Sequence, residues 1–317
     1  MDKILVTGGA GFIGSHVCDA LLNKGKQVVC LDNFNNYYSP KRKRKNIEHN
    51  LSNKSFFLEE TDIRQLEKLK KVFEKHKITK VIHLAARAGV RASIKDPHIY
   101  EEVNVKGTLN LLELSRKFNI KNFVFGSSSS VYGLNKKLPF SEKARTDTQI
   151  SPYALTKKTG EMLCHTYSKL YKLNITCLRF FTVYGPRGRP DMAPYLFTKL
   201  ISEDKPIIRY GDGSSKRDYT YIEDVVQAIL SASEKNYAYE IFNIGNSKTI
   251  ELNKFISLIE TLLGKKARII QKDMPKEDIP ITYADISKAK KYFGYNPKTN
   301  IEQGMKMFVD WFNKNES

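Results

Sequence analysis

The chain has 317 residues, 41% hydrophobic and 27% charged, with 18 glycines and 11 prolines. That length exceeds the usual single domain, and the composition excludes a disordered, collagen-like or disulfide-stapled protein, so one large unit or two packed lobes are expected. The formal charge of +19 admits nucleic acid, an acidic membrane face or an anionic small substrate as partners.

The charge is spread, however. Only Lys41-Arg42-Lys43-Arg44-Lys45 forms a dense run, while Lys68, Lys70, Lys71 and Lys75, like Lys288, Lys290 and Lys291, alternate with apolar residues as on outer faces of amphipathic helices. A solvated surface is expected, with no nucleic-acid partner, and a solvated loop at 41–45. Cys18, Cys30, Cys164 and Cys177 show neither CxxC nor Cys/His spacing, which predicts buried, reduced thiols and no metal site. Met1-Asp2-Lys3 runs directly into Ile4-Leu5-Val6-Thr7-Gly8 without a secretory leader pattern. No run of about 18 apolar residues occurs, so a cytoplasmic protein without a membrane partner is expected.

In chain order, short β-branched or aromatic runs at 4–7, 27–31, 55–59, 80–85, 122–126 and 174–180 alternate with longer helical patterns. After Asp62 a stripe of Leu66, Leu69 and Phe73 predicts a helix, and long helices are predicted over 100–118 and 153–173. This alternation predicts an α/β fold, a Rossmann-type doubly wound parallel sheet. At Tyr184-Gly185-Pro186-Arg187-Gly188-Arg189-Pro190 the texture changes, and a helix follows near 194–202. The run 240–244 reads as a further sheet strand, and Leu252, Phe255, Ile256 and Ile259, then Ile301, Phe308 and Phe312, mark two late helices. The expected organisation is a Rossmann domain over 1–180 with a return segment near 218–247, and a smaller interleaved α/β lobe from 181–217 and 248–317.

The first strand leads at once into Gly8-Gly9-Ala10-Gly11-Phe12-Ile13-Gly14. Glycines there permit a tight strand-to-helix turn and close backbone approach to a pyrophosphate, which the helix N-terminus then binds. Asp32 ends the second strand 18 residues after Gly14, where a carboxylate accepts hydrogen bonds from the adenosine ribose. Its charge opposes the 2′-phosphate of NADP, so NAD is the expected cofactor; the basic run from Lys41 to Lys45 would serve NADP if it folded back, but a solvated loop is the expectation there.

Ser151-Pro152-Tyr153-Ala154-Leu155-Thr156-Lys157 places a phenol and an ammonium at i and i+4, one turn apart on a helix opened by proline. An adjacent cation favours the phenolate and lowers the phenol's pKa, fitting Tyr153 to take a hydroxyl proton as hydride leaves the same carbon. His83 ends a strand and reads as a satisfied, buried histidine with no chemistry.

These residues sit among TGGAGFIGSH from Thr7, HLAA from His83, SSSSVYG from Ser127, SPYALTK from Ser151, RFFTVYGP from Arg179 and RDYTYIEDV from Arg217. The set spans nearly the whole chain and resembles the extended short-chain dehydrogenase/reductases, the NAD-dependent epimerase/dehydratase family. Within it, DNFNNYYSP from Asp32, AGVRASIKDP from Ala88 and RGRPDMA from Arg187 look most like UDP-glucuronate 4-epimerases, with UDP-glucose 4-epimerases as the alternative; a non-catalytic NAD-binding regulator is the alternative of another class.

The resemblance implies that Tyr153 is the base, Lys157 its partner and Ser128 a hydrogen-bonding hydroxyl at the sugar 4-OH. It implies cofactor contacts from Gly8, Gly11, Phe12, Ile13, Gly14, Asp32, Asn33, Asp62, Ile63, Leu84, Ala85, Ala86 and Ser127, although Asp62 could equally cap the next helix. Family dehydratases and decarboxylases usually carry an acid at one or both of the two positions after Ser128; here they are Ser129 and Ser130. Simple oxidation and re-reduction at C4 is therefore implied, converting UDP-glucuronate and UDP-galacturonate through a 4-ketone. Ser129, Ser130 and Arg189 suit a C6 carboxylate, which wants fixed donors. In the smaller lobe Arg217 is implied at the diphosphate, Tyr210 at the uracil face and Asp278 at the nucleoside, while Thr182 stands where glucose/galactose epimerases carry Asn. Arg87 and Arg91 are possible contacts of cofactor or sugar. The two long helices resemble the pair with which the family forms homodimers.

Overall fold

In a computed structural model, which describes residues 2–275 and 279–316, the chain forms two compact units. The first comprises Met1–Asn135, Glu142–Phe180 and Val226–Asn243, and the second Lys136–Ser141, Phe181–Val225 and Ile244–Ser317.

The first unit opens with β1 (Lys3–Thr7), α1 (Phe12–Asn23), β2 (Gln27–Asp32), α2 (Pro40–Ile47), β3 (Phe56–Glu60), α3 (Leu66–His76) and β4 (Lys80–His83). It continues through α4 (Val90–Lys95), α5 (Pro97–Tyr100), a π-helix (Glu101–Lys106), α6 (Gly107–Lys117), β5 (Asn122–Ser128), a 3-10 turn (Ser129–Tyr132), α7 (Pro152–Tyr171) and β6 (Ile175–Phe180). Six parallel strands lie in the order β6-β5-β4-β1-β2-β3, and a later strand, Tyr239–Ile244, joins beside β6. Leu5, Val29, Val81, Phe123 and Ile175 are completely buried, as expected of strands covered on both faces. Burying a phenylalanine such as Phe123 stabilises by roughly 1.5–3 kcal/mol. Helix α7 approaches β5 closely because Gly160 has no side chain: a Cβ there would stand 2.4 Å from the Phe125 ring.

The strand order reverses between β1 and β4, so the loops after Thr7 and His83 open side by side at the carboxyl edge, where open α/β sheets take ligands.

The second unit contains β7 (Thr182–Tyr184), α8 (Ala193–Ser202), β8 (Ile207–Tyr210), β9 (Lys216–Arg217), β10 (Tyr219–Tyr221) and the start of α9 (Ile222–Glu234), whose remainder leads back to β11, the strand beside β6. After it come β12 (Ile250–Glu251), α10 (Leu252–Leu263), β13 (Ile269–Lys272), β14 (Ile281–Thr282), α11 (Ser287–Phe293) and α12 (Ile301–Asn315). Its strands form small ladders, β10 on β7, β13 on β8, and β12-β9-β14. Tyr219 stacks on Phe255 at 4.5 Å and lies edge-on to buried Tyr184, which meets buried Tyr221 in turn.

Three expectations need correction. The return segment is shorter than 218–247, because Asp218, completely buried, accepts hydrogen bonds from Thr220 Oγ1 and the backbone amides of Asn246, Ser247 and Ala284, tying both its ends into the second unit. The helix expected over 100–118 is divided by the π-helix. The solvated loop expected at 41–45 is helix α2: Lys43 is 4% exposed, donating to Asn35 O at 2.8 Å, and Arg44 makes a two-point pair with Glu60.

Candidate active site

The glycine turn has the shape the spacing predicts. Gly8 adopts φ +67°, and Gly11 N donates to Gly8 O at 3.0 Å. At Gly14 a Cβ would lie 2.0 Å from Gly8 O, so no side chain fits. Gly11 caps α1 without any side-chain cap, and the first turn, which holds Phe12 and Ile13, carries no acidic residue, leaving its N–H groups to an anion. At the end of β2, buried Asp32 accepts from Phe34 N at 2.9 Å and Ala10 N at 3.3 Å. Burial pushes its carboxyl upward, against the Lys43 ammonium and these donors. The cradle fits a dinucleotide: a bare helix N-terminus, a turn no Cβ can enter, and a fixed carboxylate one strand away.

Asn33 and Asp62 meet, Asn33 Nδ2 donating to Asp62 Oδ2 at 2.9 Å. Arg64 closes the cluster with three bonds to the same carboxylate; burial alone would raise Asp62, but these donors hold it below the usual carboxylate range. Asp62 does not cap α3, whose N-cap is Gln65. Ile63 is buried in the core.

After β4, Leu84, Ala85, Ala86 and Arg87 are half-buried, and Ala85 N donates to Thr7 Oγ1 at 3.2 Å. Arg87 lies over the Tyr37 ring at 5.2 Å, whereas Arg91 is exposed. His83 is 2% exposed and bonded at both nitrogens, to Thr7 Oγ1 at 2.7 Å and Thr108 Oγ1 at 2.9 Å. Thr108 gives its own proton to Asn104 O, so it must accept from His83 Nε2–H, and Nδ1 accepts from Thr7. Burial and the Lys157 ammonium lower this imidazole to about 3. It is neutral and satisfied, with no chemistry to do.

At the end of β5, Ser127 and Ser128 are buried. Ser128 Oγ caps the 3-10 turn, accepting from Ser130 N at 3.1 Å, and donates to Ser130 Oγ at 3.1 Å; Ser129 and Ser130 are half-buried. Helix α7 starts opposite, with Pro152 in its first turn and Ser151 Oγ accepting from Ala154 N. Tyr153 is half-buried and edge-on to Tyr100 at 6.3 Å. Lys157 is 5% exposed, its Nζ 2.6 Å from Gly126 O and 5.1 Å from the Phe125 ring centroid. Desolvation lowers this ammonium to about 8, with Cys164 and Glu161 acting in the other direction. The structure thus brings the serine segment, through Gly126, to the helix that carries the phenol and the lysine.

In the second unit Thr182 opens β7 and Tyr210 closes β8, both half-buried. Arg217 donates from Nη1 to Lys216 O at 3.0 Å and Pro280 O at 3.2 Å. Arg189 makes a two-point pair with Asp191 through Nε and Nη2. Asp278 lies outside the described residues. Among the described residues no cluster of His, Cys, Asp or Glu has metal-holding geometry, and no helix is long and apolar enough to cross a membrane. The four cysteines are buried free thiols.

Two positioned polar residues escape a reading of the sequence. Asn104, 2% exposed in the π-helix, accepts from Arg87 N and donates to Arg87 O and Thr156 Oγ1, joining the loop after β4 to the helix turn between Tyr153 and Lys157. Glu161, one turn beyond Lys157, is completely buried. The only available signal was spacing, since Tyr153, Lys157 and Glu161 repeat at i, i+4 and i+8 on one helix face.

The sheet order, glycine cradle and phenol–ammonium turn define a dinucleotide-dependent enzyme acting on an alcohol carbon. Residues 4–245 match the NAD dependent epimerase/dehydratase family, and the chain belongs to that family. It is 46% identical over 316 residues to a UDP-glucuronate 4-epimerase of Thermodesulfobacterium geofontis, covering 99% of this chain and 97% of that one. A crystal structure of UDP-glucuronic acid 4-epimerase from Bacillus cereus, in complex with UDP-glucuronic acid and NAD, superposes with a TM-score of 0.93 at 39% identity, over 98% of this chain and 99% of that one. A UDP-glucose 4-epimerase from Thermotoga maritima, solved with UDP-glucose, superposes at 0.91 with 35% identity, over 99% and 100%.

Proposed function

We propose that this chain is an NAD-dependent 4-epimerase that interconverts UDP-glucuronate and UDP-galacturonate through a 4-keto intermediate. The observation that carries the reading is the Ser128, Tyr153 and Lys157 set at the β5 edge, followed by Ser129 and Ser130 where a second acid would stand. When bound, NAD accepts the C4 hydride and returns it to the opposite face of the sugar. Tyr153 takes the O4 proton and gives it back, Lys157 stabilises the phenolate and Ser128 holds the same oxygen by a hydrogen bond. Gly8, Gly11, Gly14, Asp32, Asn33 and Asp62 are assigned to the dinucleotide, Arg217 to the substrate diphosphate and Tyr210 to the uracil face.

A 4-ketone turns the C6 carboxylate into a β-keto acid, so the pocket must hold that group out of alignment for loss of carbon dioxide. Ser129 and Ser130 are the donors assigned to it, with Arg189 once it leaves Asp191. That existing pair favours a second reading, UDP-glucose 4-epimerase, which needs no carboxylate clamp. Turnover of UDP-glucuronate and UDP-glucose in parallel decides between them: a new C4 isomer of the glucuronate, formed faster than that of the glucose, is expected. Release of a pentose instead would show that the serines do not protect the acid.

Buried reduced thiols support a cytoplasmic enzyme. A homodimer through α6 and α7 is supported by exposed Leu155, Met162 and Leu170 on α7 and Leu109 on α6. Sedimentation at twice the chain mass, lost on Met162→Lys, is the expected outcome.

A further inference from the structure

Behind the serine segment the first unit buries two opposite charges that the proposed reaction does not use. Glu161 on α7 is 0% exposed and Arg179 on β6 is 1% exposed. They form a two-point pair, Nε to Oε1 and Nη2 to Oε2, both 2.8 Å. Such a pair adds little net stability, because removing both ions from water offsets their attraction. What the pair holds in addition is informative. Ser127 Oγ donates to Glu161 Oε1 at 2.7 Å, immediately before Ser128. The Arg179 guanidinium lies 4.9 Å from the centroid of Tyr132, the last residue of the 3-10 turn, and Tyr132 Oη donates to Asn243 Oδ1 at 2.7 Å. One ion pair therefore grips the serine segment before Ser128 and after Ser130. Its carboxylate also sits one helical turn from Lys157.

We propose that Glu161, with Arg179, is a positioning residue of the reaction: the pair fixes the Ser127–Tyr132 segment against α7, and Glu161 gives Lys157, one helical turn away, a buried acidic neighbour. This rests on the epimerase reading for its kinetic part.

The surroundings of Lys157 leave few other sources of negative charge. On its own helix are Tyr153, Cys164 and Lys158, the last 3.6 Å from Glu161. From β4 comes His83, held neutral, and from β5 only the Gly126 carbonyl and the Phe125 ring. From β6 come Arg179 and buried Cys177, and from the 3-10 turn Tyr132. The other elements packed on α7 send their charges outward: Arg91, Lys95, His98, Glu101 and Lys106 are exposed, Glu102 pairs with Arg64 and Glu113 with Arg116. Burial lowers Lys157, and Cys164 and then Glu161 oppose that shift; of these two only Glu161 brings a carboxylate. Removing the carboxylate lets desolvation and the unbalanced Arg179 act together.

The test uses the full-length, NAD-loaded enzyme carrying Glu161→Gln, read by kcat against pH and by the 13C resonance of Lys157 Cε in lysine-labelled protein, assigned with Lys157→Arg. The alkaline limb and the resonance midpoint are both expected to fall by about one pH unit. At neutral pH kcat should drop about tenfold with KM within about threefold. Ser127→Ala keeps the ion pair and should lower kcat about fivefold without moving the limb. A folded, NAD-bearing Glu161→Gln enzyme with limb and resonance in place overturns the proposal. Should that variant fail to fold, Glu161→Gln/Arg179→Met removes both charges and must still show the lowered limb; if neither folds, unchanged kcat in Ser127→Ala overturns the proposal. If the wild type epimerises no UDP-sugar but the resonance still moves, the reaction is misassigned and the charge coupling stands.

Discussion

The two units hold their candidate residues in different ways. In the first, β5 and β6 are buried along their whole length and β1, β2 and β4 at all but their first residue, and the groups at the carboxyl edge are anchored to neighbours that water does not reach, as with Lys157 on Gly126 and Ser127 on Glu161. In the second, half-buried Arg217 on a two-residue strand and half-buried Arg189 in the loop between β7 and α8 are tied to local partners: Arg217 to the Lys216 and Pro280 carbonyls, Arg189 to Asp191 two residues away. Fixed chemistry belongs on the rigid edge, where an error of 1 Å costs rate. Recognition of a ligand's remote parts tolerates side chains that exchange a local partner for a bound one.

That contrast can be broken experimentally. Tyr153→Phe removes the base from the rigid edge without disturbing the cradle, so kcat should fall by about 10²- to 10⁴-fold while NAD still co-purifies in equal amount. A Tyr153→Phe enzyme with more than a tenth of wild-type turnover would show that the edge does not hold the base. Gly14→Ala drives a Cβ toward Gly8 O. A loss of roughly 3 kcal/mol of stability in urea and of bound NAD is expected. Arg217→Ala, in the second unit, should raise KM for the UDP-sugar about 10- to 100-fold with kcat nearly unchanged; a fall in kcat instead would place it with the rigid edge.

The smallest effect concerns pH. Burial lowers Lys157 to about 8, against an ordinary value near 10.4 in the unfolded chain. Between these values the unfolded state holds a proton that the folded state has shed, so Lys157 contributes a stability that rises from about pH 8 to pH 10.4. Activity, which needs the ammonium, should decline over the same interval. Urea midpoints and kcat measured from pH 7 to 10.5 should diverge; parallel curves would show that Lys157 does not titrate there.

The first unit was also the more legible in sequence. Gly8 to Gly14 and Asp32 act through short-range spacing, and Tyr153 and Lys157 through one helical turn, so their geometry is written locally. Glu161 was hidden because a glutamate beside Lys157 and Lys158 in a helix reads as a solvated face, and only the long-range approach of Arg179 from β6 allows its burial. Lys43 was hidden for the same reason, in a run of five basic residues of which three are exposed. The π-helix was invisible because an apolar 3.6-residue pattern continues through 100–118. In the second unit the Arg189–Asp191 pair occupies the guanidinium fork that sequence alone left open to a substrate.

The hydroxyl–imidazole–hydroxyl relay from Thr7 through His83 to Thr108 has a direction, since each group passes its proton onward and the last ends on the Asn104 carbonyl. A rivet of this kind has one charge state and one orientation, and it fastens β1, β4 and the π-helix beneath the place where a pyrophosphate would rest. Acidifying the medium to pH 5 therefore leaves this rivet electrically unchanged, and an acid limb of turnover would report other groups, the buried Asp32 carboxyl among them.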